Sequence, residues 1–374
     1  MMAPLVLLCA GGTGGHLFPA EALAHEMRRR DFAVHLVTDK RAERFSGSFP
    51  ADEIHIVRSA TITSKNPIAL ARTGYALFQG LRESGRLLAR LRPSAVVGFG
   101  GYPTLPPLMA ASRAGIPTLI HEQNAVMGRA NRFLAQRVRA IAGGFLPAGE
   151  GPFGDKVVET GNPVRPDVLE AAERPYHRSR GNEPFNLLVF GGSQGARFFS
   201  EIMPEALVSV PESLRNRLRI TQQVRPEDRE PVEAFYRDNL IEAEISPFFD
   251  DMANRIANAQ LVISRSGAST VSELSVIGRP AILVPFPHAL DHDQAANAAS
   301  LQEKGGAQVI QQSQLDKDKL SSMLAAMIED PDRLSEMAKN AKAAGQPAAA
   351  RLLGDLVAFM AVGKSPSEER GADE

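Results

Sequence analysis

The chain of 374 residues holds one cysteine, Cys9. One thiol forms no internal disulfide framework and builds no multi-cysteine zinc cage, and its use fits a reducing compartment. Cys9 lies in the apolar run Pro4–Ala10, where an inert core thiol is expected rather than a nucleophile. Neither sign of charge is in excess: Lys and Arg number 42 against 43 for Asp and Glu, a formal net charge of −1. No global basic field draws in nucleic acid, so any anion site has to be local. No apolar run reaches the length of a membrane-spanning helix. The N-terminal run has no basic region before it and passes straight into glycines, so it reads as strand and turn, not as a targeting segment. Cytoplasmic residence is expected, with peripheral membrane association left open.

Two common nucleotide signatures are also missing. The turn Gly11-Gly12-Thr13-Gly14-Gly15-His16 has Leu17 where a G-x-G-x-x-G beginning at Gly12 needs glycine. It has no lysine, so it is no Walker loop either. Hydride transfer and nucleoside-triphosphate hydrolysis lose support accordingly.

What is present is alternation. Short apolar strands are expected at Leu5–Ala10, Val34–Thr38, Glu53–Val57, Ala95–Phe99, Thr118–His121 and Ala140–Gly143. A second series follows at Asn186–Phe190, Arg219–Gln222, Leu261–Ser264, Ala281–Val284 and Gln308–Ile310. Helical spacing lies between them, as in Ala20–Arg30, Ile68–Leu91 and Lys319–Ala344. Continuous apolar strands alternating with helices predict parallel sheets covered on both faces. Each series opens on a strand, a glycine turn and a helix, so the fold class is α/β with two doubly wound, Rossmann-like domains facing each other across a cleft. The expected domains are 1–162 and 163–346, with a helix over 347–362 crossing back to the first domain and a disordered tail over 363–374.

The glycine turns suit phosphate. Glycine lets backbone N–H groups approach an anion, and the following helix N-terminus adds partial positive charge. The second turn, Gly191–Arg197, carries Ser193, which suits either a phosphate oxygen or a helix cap. In the third, Arg265–Glu273, Thr270 and Glu273 have capping-box spacing. Glu273 is thus either a cap or a carboxylate accepting the two hydroxyls of a ribose, and the residues alone leave these even.

In order, the motifs 11–16, 98–102, 121–124, 161–165, 191–197, 250–252, 265–273 and 285–288 span nearly the whole chain. Together they resemble the MurG family of UDP-N-acetylglucosamine:lipid I N-acetylglucosaminyltransferases of peptidoglycan synthesis. The resemblance implies a GT-B fold whose C-terminal domain holds UDP-GlcNAc. It carries donor contacts onto Ser193, Phe249, Ala268, Ser269, Thr270, Glu273 and Gln294. It implies further contacts from Arg165, Asn124, Thr13, Gly14 and Gly15. The segment Gln223–Pro226 departs from the small glycine-containing turn of many relatives, and one glutamine, Gln294, stands where relatives often have two. Phe249 replaces an aliphatic residue. The implied partners are UDP-GlcNAc, a polyprenyl-diphosphate lipid I acceptor, the anionic face of the inner membrane and other cell-wall synthesis proteins.

A departing UDP develops negative charge, which helix N-termini and Arg165 stabilise. No spaced Asp-x-Asp pair stands at a strand end, and the adjacent Asp250-Asp251 reads as a helix cap. No cofactor and no obligatory metal are expected in donor binding, and no residue is assigned as a metal ligand. Transfer from an α-linked donor to a β1,4 product is one inversion and needs a base for the acceptor proton. His16 is the first candidate and Glu122 the alternative, while His121 and His288 read as structural. Other outcomes are a related UDP-sugar enzyme (an epimerase or glycolipid synthase) or a non-catalytic nucleotide-sugar sensor. Over Lys65–Arg92, helical spacing gathers Leu70, Leu77, Leu81, Leu88 and Leu91 on one side. It groups Tyr75 and Phe78 with Arg72, Arg82, Arg86 and Arg90 on the other, a face suited to anionic lipid.

Overall fold

A computed structural model describes residues 3–11, 14–39, 49–59, 66–192, 195–289 and 293–362, with the backbone alone over 67–71. Thr13, Lys65, Ser193 and the tail from Gly363 lie outside the described residues, as does the side chain of Leu70. The chain forms two compact units: Met1–Arg165 joined by the chain from Pro347 on, and Pro166–Gln346.

In the first unit a parallel sheet of seven strands runs in the order β3-β2-β1-β4-β5-β6-β7. These are β1 Leu5–Cys9, β2 Ala33–Thr38, β3 Glu53–Ile56, β4 Ala95–Gly98, β5 Thr118–Glu122, β6 Ala140–Gly143 and β7 Val157–Glu159. The second unit repeats the plan with six parallel strands in the order β10-β9-β8-β11-β12-β13. They are β8 Phe185–Phe190, β9 Leu218–Gln223, β10 Ala243–Ser246, β11 Leu261–Ser264, β12 Ala281–Leu283 and β13 Ala307–Val309. Central strands such as β4, β5, β6 and β11 are buried along their whole length, as helices on both faces demand. The edge strand β3 is largely exposed.

Three departures from the sequence expectation have physical causes. β7 is three residues long and β10 is a half-buried edge strand reading Ala-Glu-Ile-Ser, so neither carries an apolar run to announce it. The helical stretch Lys319–Ala344 is two helices, Lys317–Glu329 and Pro331–Ala344. Pro331 lacks the N–H that would continue the first, and the Asp330 carboxylate accepts the Arg333 N–H at 2.9 Å to start the second. The helix Pro67–Leu91, by contrast, runs unbroken through Gly74, Gly80 and Gly85. Gly80 is required there, because a Cβ would collide with the Arg58 carbonyl.

The final helix, Ala349–Ala361, packs on the first, Gly14–Arg29. Leu353, Leu356, Val357 and Met360 join Leu17, Leu23, Ala24 and Met27 in one core cluster. Arg30 closes the seam by bonding Glu26 at 2.6 Å, Asp355 at 2.8 Å and the Arg351 carbonyl at 3.0 Å. The described chain passes from the first unit to the second at Arg165–Pro166, three residues beyond the expected boundary.

Candidate functional site

Each sheet changes direction beside its first strand: β1 lies between β2 and β4, and β8 between β9 and β11. At such a switch point the connections leave toward opposite faces and open a crevice at the carboxyl ends of the strands. The glycine turns stand at these places. Gly11 follows β1 and Gly98–Gly101 closes β4 in the first unit. In the second, Gly191, Gly192 and Gly195 follow β8, and Arg265–Gly267 follows β11.

In the first unit, His16 stands in the opening turn of the helix Gly14–Arg29, directly after Gly14 and Gly15. Its Nδ1 is sealed from solvent without a hydrogen-bond partner. Gly100 and Gly101, at φ of 91° and 80°, let the loop after β4 close on the ring. A Cβ on Gly100 would stand 3.1 Å from His16 Cε1 and 3.2 Å from Nδ1. Burial pushes the imidazole below its ordinary pKa, although Glu122, the Gln123 side chain and the Phe99 carbonyl pull the other way. His16 is therefore neutral at pH 7, the form that can accept a proton.

Glu122, at the end of β5, is 1% exposed. Its Oε1 accepts the Asn124 N–H and the Asn124 Nδ2, both at 3.1 Å. Its Oε2 accepts the Gly128 N–H at 2.9 Å and the Asn131 Nδ2 at 2.8 Å. Four donors occupy the four lone-pair directions of the carboxylate. Taking a proton would break one of these bonds, and in this arrangement Glu122 organises the loop and holds Asn124. His121 is fully buried, with Nε2 3.2 Å from the Gly161 carbonyl and a pKa lowered to about 4 by burial. Arg165 lays its guanidinium 4.3 Å over the ring of Phe18, two residues after His16 in the same helix.

In the second unit the helix Arg197–Ser209 follows the first glycine turn. Gly191 cannot carry a Cβ, which would collide with the Ala196 nitrogen. The departing segment places Arg225 against this turn, where a Cβ on Gly195 would be 2.8 Å from Arg225 Cγ. Arg225 is held there by Asp228 at 2.8 and 3.0 Å. The helix Ala268–Ile277 has Gly267 at its N-cap position and makes no side-chain cap bond. Thr270 lies inside it and Glu273 is its sixth residue, 8% exposed. The capping-box reading of Thr270 and Glu273 is therefore wrong: a cap needs a non-helical residue at the start of the helix, and Gly267 occupies that place. Ser269 Oγ, in the first turn beside Ala268, is buried without a partner. Gln294 accepts the Phe286 N–H at 3.0 Å with its side chain and the Ser266 hydroxyl at 2.8 Å with its carbonyl, tying its helix to the turn after β11.

Phe249 is 7% exposed and covered by Arg255 at 4.1 Å, so its ring belongs to the core. Asp251 stands at the N-cap of Met252–Asn258, but its carboxylate bonds Arg255 at 2.6 Å and makes no cap bond. His288, expected to be structural, is exposed and meets only the edge of Phe286 among ring contacts described. Sequence reasoning missed Gln123 and Asn131 near His16, Phe18 beneath Arg165, and the role of Arg265. That guanidinium is buried, bonds the Val284 and Pro285 carbonyls and Gln312, and packs between Phe198, Phe199 and Phe286. A charged residue in a glycine turn reads as a ligand contact, whereas here it braces the turn from behind.

The chain matches the glycosyltransferase family 28 N-terminal domain over residues 6–143 and the C-terminal domain of that family over 186–353. Relatives from Rhizobium meliloti (strain 1021) and Sinorhizobium medicae (strain WSM419) are 63% and 64% identical to it over 361 residues, 96% of this chain and 96% of each relative. Both carry the name UDP-N-acetylglucosamine--N-acetylmuramyl-(pentapeptide) pyrophosphoryl-undecaprenol N-acetylglucosamine transferase. A crystal structure of Acinetobacter baumannii MurG superposes with a TM-score of 0.76 at 30% identity, covering 96% of this chain and 100% of that one. Two parallel Rossmann-like units with glycine turns at both switch points define the GT-B class of glycosyltransferases. Within that class the chain belongs to the MurG family.

Proposed function

We propose that this enzyme moves GlcNAc from UDP-GlcNAc to the C4 hydroxyl of the MurNAc in lipid I, giving lipid II for the cell wall. The observation that carries this reading is 63% and 64% identity, over 96% of the chain, to transferases of that name, in a chain whose turns stand at both switch points. In the second unit, the opening turns of Arg197–Ser209 and Ala268–Ile277 supply N–H groups and dipoles for the diphosphate, with Ser269 and Ser193 as hydroxyl donors. Glu273 takes the ribose hydroxyls. In the first unit, neutral His16 removes the acceptor proton as the hydroxyl attacks in line with the departing UDP, and Asn124 and Arg165 act on the donor. Donor binding needs no metal in this scheme, because backbone dipoles and arginine meet the charge that builds on UDP.

The acceptor carries a polyprenyl chain, yet no described helix is long and apolar enough to cross a membrane. We assign membrane docking to the helix Pro67–Leu91, at the cytoplasmic face of the inner membrane. Tyr75 and Phe78 are 64% and 55% exposed on it, with Arg72, Arg82 and Arg86 exposed beside them. Its acid, Glu83, faces Arg58 at 3.3 Å. Rings among arginines suit the acyl boundary of an anionic bilayer.

One assay tests the activity: UDP-GlcNAc with a short-chain lipid I analogue, with and without a chelator. Disaccharide product at equal rates is expected. Conversion of UDP-GlcNAc without acceptor would instead make the chain an epimerase, and no turnover at all would leave a sensor.

A further inference from the structure

The edge of the first sheet carries a group of side chains that glycosyl transfer does not use. Strands β2 and β3 pair in parallel with His35 opposite Glu53 and Val37 opposite His55. Alternation puts His35, Glu53 and His55 on one face of the sheet. His35 Nδ1 lies 3.0 Å from His55 Nε2. Glu53 Oε2 lies 3.3 Å from His55 Nε2 and 3.7 Å from His35 Nδ1. Two imidazole nitrogens and a carboxylate oxygen thus form a small triangle. Among the described residues, this is the trio of His, Cys, Asp or Glu whose ligand atoms converge in this way.

The triangle has the size of a metal's coordination face. Zinc bonds nitrogen and oxygen at about 2.0–2.1 Å, and tetrahedral angles then separate neighbouring ligand atoms by about 3.3–3.4 Å. The observed edges of 3.0, 3.3 and 3.7 Å bracket that spacing. We propose that His35, Glu53 and His55 form a binding site for a divalent cation of the zinc class, which clamps the edge strand β3 to β2.

The donor set favours zinc over magnesium or calcium, since the hard cations prefer all-oxygen shells. Three protein ligands leave a fourth position for water. The imidazole side chains are 15% and 12% exposed, so their rings are held by packing, while Glu53, at 60%, can swing to meet an ion. Burial, His35 and Arg90 lower the pKa of His55 against the pull of Glu53, and the neutral ring is the form that ligates. The neighbouring Asp52 is committed elsewhere, accepting the Val34 N–H at 2.9 Å and pairing with Arg28 at 2.6 Å. The simpler alternative is a hydrogen-bonded His–His–Glu cluster that holds no ion.

The test uses the full chain with any affinity tag removed and bound metal stripped by a chelator. Zinc is titrated against a chromophoric competitor, and cobalt is added separately as a spectroscopic probe. The expected result is one tight equivalent of zinc and the strong visible bands of four-coordinate cobalt. His35→Ala and His55→Gln should each weaken zinc at least tenfold and abolish those bands, with unchanged far-ultraviolet circular dichroism. Zinc should also shield His35 and His55 of the unaltered chain from diethyl pyrocarbonate, read by peptide mass spectrometry, which holds even if a variant misfolds. Absence of a tight equivalent, equal zinc binding by both variants, or zinc bound with no protection of these two histidines would overturn the site.

Discussion

Glu273 has lost one of its two readings. With Gly267 at the cap position, a cap does not explain a carboxylate that is 8% exposed inside the helix. A charge-assisted bond to a ribose contributes about 1.5–3 kcal/mol, so Glu273→Ala should weaken UDP binding roughly ten- to a hundredfold, as read by titration calorimetry. Unchanged UDP affinity would remove the ribose contact. His16→Ala should keep UDP affinity and lose transfer to the lipid acceptor, with the wild-type rate falling only below the ordinary histidine range because burial lowers the pKa of His16. Near-normal turnover of the variant would exclude proton transfer there. His121 bears on stability instead. Its folded pKa is about 4 against 6.5 for the free side chain, so the unfolded chain binds the proton first as pH falls. The contribution is complete above about pH 6.5 and is lost on the way down to about pH 4, a difference of roughly 3 kcal/mol. Urea unfolding across that range should show the slope, and His121→Gln should flatten it. At this scale the motifs were legible in the sequence, but the contacts inside them were not. The motif carrying Glu122 was visible, but the four donors that fill its carboxylate come from positions 124, 128 and 131, which only the folded loop brings together.

Elements were legible where burial is complete and obscure where it is partial. β1, β4, β5, β6, β8 and β11 are apolar runs because both faces are covered, and that pattern survives in one dimension. The edge strand β10 borrows its order from β9 and has no such run. Buried arginines were equally hidden. Arg279 is 1% exposed, and its guanidinium bonds only backbone carbonyls among the described partners, including Ala257, Ile277 and Arg174. The helix Pro67–Leu91 showed its two faces in the sequence, since Leu88 is 3% exposed while Tyr75 and Phe78 stand in solvent. Arg82 lies 6.0 Å over the Phe78 ring, so the apolar and cationic parts of this face are contiguous. Attraction to anionic headgroups is screened within about 8–10 Å at ordinary salt, whereas insertion of rings is not. Binding to anionic vesicles should therefore weaken with salt without vanishing. Replacing Tyr75 and Phe78 by Ser and Arg82 and Arg86 by Gln should abolish co-sedimentation at low salt and spare UDP binding. Vesicle binding unchanged by these four substitutions would place docking elsewhere.

The molecule as a whole is two repeats of one plan, and the chain that starts the first repeat also finishes it. The helix Ala349–Ala361 belongs to the first unit although it follows the second in sequence. A chain ending at Gln346 keeps every described strand of both sheets, yet uncovers the helix that carries His16. Leu353, Leu356, Val357 and Met360 are each 7% exposed or less, and burying such a side chain contributes about 1.5–3 kcal/mol. Their loss, roughly 6–12 kcal/mol together with the Arg30 bonds to Asp355 and Arg351, is comparable to the roughly 5–15 kcal/mol margin of a domain. The shortened chain should unfold in two steps, an early one for the first unit and a later one near the temperature of the intact second unit. UDP-GlcNAc, whose site is proposed above to lie in the second unit, should raise the later step by mass action and leave the early one in place. Transfer should be lost, because the helix presenting His16 goes with the early step. Scanning calorimetry with and without UDP-GlcNAc reads both steps. A single transition at the full-length temperature would mean that the last helix adds nothing to the first core.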